Sequence, residues 1–144
     1  MAGVDRGVST VVGYVLNIGI ATILIAGLLI AGTGLVADQR ERIARTELEV
    51  LGNRIAANLE TADRLPDDGT VTVRMTLPKT VLGSSYRVHI HTADGAVTIR
   101  LTMTDPAVVE TVPVANESRV KEATVPGGPI LIHGNNGTLV VRDG

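Results

Sequence analysis

His89 and His91 stand two apart in a stretch that alternates apolar and polar residues, so both imidazoles fall on one strand face, a spacing that can chelate zinc. A third ligand would have to come from His133 or an acid, and no metal-binding signature joins them. Strand pairing around Asp94-Gly95 also sets His89 opposite Arg100, whose charge repels a cation, so the two histidines read as part of a solvated polar face. Pro66-Asp67-Asp68-Gly69 offers adjacent carboxylates, but these residue types in this order are ordinary turn chemistry. No nucleophile triad, phosphate-cradling loop or zinc-protease helix occurs. No catalytic, cofactor-binding or metal-binding residue is therefore expected, and the chain reads as a non-enzyme. Asn116-Glu117-Ser118 and Asn136-Gly137-Thr138 are acceptor sequences for N-glycosylation, meaningful if this part of the chain is exported.

These residues sit in a stretch with strand periodicity. Val71, Val73, Met75 and Leu77 share one face, as do Tyr86, Val88 and Ile90, and Val97, Ile99, Leu101 and Met103. Asp94-Gly95 is a two-residue hairpin signal. Centred there, the register pairs Ile90 with Ile99, Val88 with Leu101 and Tyr86 with Met103, and a slip of one residue would lose every apolar match. After Pro106 the pattern weakens: Pro113, Pro126 and Pro129 permit edge strands or loops only. A last hairpin is expected from Ile130–His133 and Thr138–Val141 around Gly134-Asn135-Asn136-Gly137.

Upstream the period changes. Ala44, Leu48, Leu51, Ile55, Leu59 and Ala62 recur at three- and four-residue steps and line one helical face, the natural cover for the strands. Charged residues take the other face, with Glu41 and Arg45, and Glu60 and Arg64, at i,i+4 spacing. Leu65-Pro66 ends the helix. Ahead of the stripe, Gly7 to Ala37 contains no charged side chain, enough to span a bilayer with residues to spare and about twice the apolar length of a secretory signal. Gly32-Thr33-Gly34 is the place where such a helix would bend. Small residues recur at four-residue steps at Ser9 and Gly13, Thr22 and Ala26, and Gly27 and Ala31, spacing that lets helix backbones approach closely but that also arises because Gly and Ala are common in membrane helices. Asn17, the one amide, can bond a neighbouring subunit or its own helix.

Composition limits the rest. The 144 residues include no Cys, Phe or Trp and two Tyr, so disulfides and thiol chemistry are excluded and the core must be aliphatic. A net charge of −2 gives no basic patch for nucleic acid. Arg6 alone precedes the apolar run, whereas Arg40, Arg42, Arg45 and Arg54 follow it, and by arginine count the C-terminal part would stay cytoplasmic.

Arg6-Gly7-Val8-Ser9-Thr10-Val11-Val12-Gly13, running into an uninterrupted apolar helix, resembles the N-terminus of archaeal type IV pilins, especially those of halophiles. Two positions depart from that pattern: Thr10 stands where the commonest halophile pilins have Pro, and Val12 where bacterial pilins carry a carboxylate. The resemblance implies a prepilin-type leader over 1–7, cut by a prepilin peptidase between Gly7 and Val8, with Arg6 in the recognition sequence. It implies a transmembrane and filament-core helix over 8–37, an amphipathic continuation over 38–65 and a β-rich extracellular head over 66–144, an α+β chain. Its partners would be membrane lipid, the peptidase and other pilin-like subunits, with no cofactor. It places the head outside, against the arginine count, and glycosylation at Asn116 or Asn136 would then be open. The implied function is a pilin-like structural subunit, taken as a minor one, in a surface filament or pseudopilus. A single-pass anchored binding module that does not polymerise is the alternative.

Overall fold

The computed structural model describes residues 2–65 and 69–144. Among them one helix, α1 (Ala2–Asp63), precedes nine strands: β1 (Thr70–Met75), β2 (Thr80–Val81), β3 (Ser84–Ala93), β4 (Ala96–Thr104), β5 (Ala107–Val114), β6 (Arg119–Val120), β7 (Ala123–Pro126), β8 (Ile130–Asn135) and β9 (Thr138–Asp143). The architecture is α+β, as expected. Pro66, Asp67 and Asp68 of the expected turn lie outside the described residues.

The β3–β4 hairpin has the anticipated register, Tyr86 on Met103, Val88 on Leu101 and Ile90 on Ile99. Asp94 and Gly95 both take positive φ, 52° and 81°, the backbone that a two-residue turn needs to match strand twist. The β8–β9 hairpin is tighter than expected. Its turn is Asn136-Gly137 alone, at φ 47° and 70°, and Gly134 and Asn135 belong to β8. Gly134 is a packing residue and not a turn residue: a Cβ there would stand 2.9 Å from Leu139 Cδ2.

Two sheets result. One runs β1-β8-β9-β6, with β6 parallel to β9 and the other pairs antiparallel. The other runs β2-β3-β4-β5, with β7 also on β3. Strands β5 and β7 carry Pro113 and Pro126, and each pairs with a single neighbour, where a missing N–H removes no ladder bond.

Every residue of the expected helical stripe, Ala44, Leu48, Leu51, Ile55, Leu59 and Ala62, is buried and joins one apolar cluster with the inward residues of both sheets. Ala56 and Gly52 extend it. At Gly52 the helix lies close against the sheet, since a Cβ would sit 2.7 Å from Val112 Cγ2 and 2.9 Å from Leu101 Cδ1. Tyr86 is the ring in this otherwise aliphatic core. Its hydroxyl donates to the Pro78 carbonyl at 2.7 Å, and Gly127 lies flat against it. Burial, with the charge of Glu47 adding to it, pushes the phenol up to about 12 against a backbone hydrogen bond at Gly128.

Candidate functional site

The chain divides into two units, Met1–Gln39 and Arg40–Gly144. In the first, α1 is apolar on every side. Ile23, Leu28 and Ile30 are more than 70% exposed, and Val8, Val11, Val12, Val15, Leu16, Leu24, Leu29 and Leu35 are exposed with them. In water such a surface would be strongly unfavourable, so it requires lipid or other protein around it. The helix is long and apolar enough to cross a membrane.

Its polar groups suit that setting. The hydroxyls of Thr10, Thr22 and Thr33 donate to the carbonyls of Arg6, Ile18 and Ile30 at 2.8–2.9 Å, so the helix itself satisfies these three donors, whereas Ser9 and Tyr14 make no such bond among the described residues. Helical hydrogen bonding continues through Gly32-Thr33-Gly34. Asn17 is exposed and, among the described residues, makes no hydrogen bond to its own helix, whereas Asn58 donates to the Arg54 carbonyl at 2.8 Å.

Arg6, Gly7 and Val8 are exposed and lie within α1, so the bond between Gly7 and Val8 is helical here. Because an α-helix repeats its facing every 18 residues, Ser9 and Gly13 share a side with Gly27 and Ala31. Asn17 flanks that side, and Thr22 and Ala26 point the other way. Of the expected packing positions the helix therefore gathers four on one line and separates two. A Cβ added at Gly13 or Gly27 meets nothing within 4 Å, so these glycines serve no packing inside the chain.

In the second unit the two acceptor sequences come together, because the parallel β6–β9 pairing sets Arg119 beside Thr138. They differ in access. Asn136 is exposed at the β8–β9 turn, whereas Asn116 is half-buried and its Nδ2 donates to the Ser118 carbonyl at 2.9 Å. The end of α1 clamps this loop: Asp63 accepts from the Glu117 and Ser118 N–H groups at 2.7 Å each, and Glu60 from the Ala115 N–H at 3.1 Å. Burial alone would raise the Asp63 carboxyl. Hydrogen bonds from the Ser118 side chain and from the two amides, with Arg64 nearby, outweigh it and hold the pKa below the ordinary carboxylate value. No periodicity in the sequence signals this clamp.

His89 lies opposite Arg100 as the register demanded, with its ring between the hydroxyls of Thr124 and Thr102 at 3.0 and 3.1 Å. His91 Nδ1 is 3.0 Å from Glu122 Oε1. Among the described residues no three His, Asp or Glu side chains gather to hold a metal.

A family model, described as a family of unknown function (DUF7266), matches residues 3–142. The chain belongs to DUF7266. The match takes in both the apolar helix and the β-rich unit, so the two belong to a single family architecture. No curated protein and no solved structure matches the DUF7266 chain.

Proposed function

We propose that this DUF7266 chain is a pilin-like structural subunit, of the minor kind, in a type IV pilus-like surface filament or pseudopilus, held in the membrane by α1 before assembly. The observation that carries the reading is the division of one helix. Its first part is apolar and exposed all round, and its second part buries a single stripe under its own head. A plain anchor needs length and apolarity. A filament core also needs neighbouring helices to approach closely, and the line of Ser9, Gly13, Gly27 and Ala31 supports that. Processing between Gly7 and Val8 and an extracellular head belong to the same reading.

The test replaces Gly27 and Ala31 together by leucine. Space around Gly27 is empty within the chain, so any penalty there must come from another molecule. Leucine favours lipid at least as well as glycine or alanine, so membrane fractionation should be unchanged. Recovery of the chain in sheared surface filaments should fall by roughly tenfold or more as close helix packing is lost. Unaltered recovery would refute close packing along this line, and a wild-type chain present only in the membrane fraction would favour an anchored binding module.

A further inference from the structure

The outer face of the five-stranded sheet carries a polar row that neither the core nor the apolar helix uses. Register sets Thr124, His89, Arg100 and Thr111 side by side across β7, β3, β4 and β5. Over part of this row lies a groove of about 490 Å³ lined by His89, His91, Arg100, Thr102, Glu122 and Thr124. Two threonine hydroxyls hold the His89 ring in place. Glu122 is already engaged, accepting from the Thr92 N–H at 3.2 Å and lying 3.0 Å from His91 Nδ1. The Arg100 guanidinium has no acidic partner among the described residues.

We propose that this groove binds the carboxylate of an acidic saccharide, with Arg100 as the anionic anchor and the threonine hydroxyls and His91 meeting the sugar hydroxyls. The planar fork of a guanidinium matches a carboxylate with two parallel hydrogen bonds. A phosphate dianion fits less well, because Arg100 is the single guanidinium lining the groove and Glu122 would repel the second charge. A neutral sugar lacks the ring it would stack on: Tyr86 is buried and Tyr14 lies in the apolar segment. The groove's size suits a ligand of one or two sugar units. The inference stands whether or not the chain polymerises.

The chain has three histidines, which makes their ring resonances a direct reporter. His133 is an internal control, lying 3.1 Å from Thr72 Oγ1 on the four-stranded sheet. Full-length, histidine-labelled protein in detergent micelles is titrated with glucuronate, glucose, acetate and inorganic phosphate. Glucuronate should shift the His89 and His91 signals, saturating with a Kd of about 1 mM, and leave His133 still. Arg100→Gln should weaken this by ~10-fold or more, and Arg142→Gln on the other sheet should not. An unchanged His133 signal certifies the fold of each variant. Any of four results overturns the proposal: no shift with glucuronate, an equal response to glucose, an equal response to acetate or phosphate (a plain cationic patch), or full affinity in Arg100→Gln.

Discussion

Asp63 carries two short hydrogen bonds from a loop more than fifty residues away in sequence, and that distance is why no local pattern announced it. Its contribution to stability has a definite pH signature. The folded pKa lies below the unfolded value of about 3.9, so the stabilisation is complete above that value and disappears as pH falls through the folded one. Asp63→Asn leaves one amide facing a donor and should lower stability by about 2 kcal/mol at neutral pH. Thermal melts of wild type and variant should converge as the pH drops below about 4, and a constant gap down to strongly acid pH would mean that the carboxylate charge is not what matters. His89, by contrast, was placed correctly from the sequence, because a two-residue turn fixes every partner along a hairpin.

At the scale of elements, the helical stripe and the β3–β4 hairpin were legible because each buries one face, and burial on one face writes its period into the sequence. The β8–β9 hairpin was legible as a pair of strands but not in its turn, because Gly134 belongs to the strand. Strand β5 was not legible, and the reason lies in two residues. Glu110 interrupts the alternation of Val108, Val112 and Val114, since it stands opposite Leu101 and faces Arg45 of α1 at 3.8 Å. Pro113 then reads as a strand breaker, which an edge tolerates. Gly52 reads as a weak helix position until the close approach to Val112 is seen. The stripe itself yields a test. Ile55 is fully buried and Asn53 exposed, so Ile55→Asp should cost about 3–5 kcal/mol or prevent folding, whereas Asn53→Asp should stay within ~0.5 kcal/mol. Melts of a fragment beginning at Arg40, the start of the second unit, decide this. Equal effects from the two substitutions would contradict docking of the stripe on the strands.

At the scale of the whole molecule, one helix carries two kinds of surface. An apolar surface exposed on every side of the first part of α1 cannot be left in water, and four of its small residues, Ser9, Gly13, Gly27 and Ala31, share one line on which the two glycines serve no contact inside the chain. The sequence alone resolved the apolar segment fully, because composition suffices for it, but not which small residues share a side, because that follows from an unbroken helix through Gly32 and Gly34. Membership of DUF7266 joins this helix to the head without assigning either a role. The most direct measurement is mass spectrometry of the sheared surface-filament fraction from the native host, reading both the presence of the chain and its first residue. The account predicts that the chain is present there and begins at Val8. A chain confined to the membrane fraction, or one found in filaments still beginning at Met1, would contradict it.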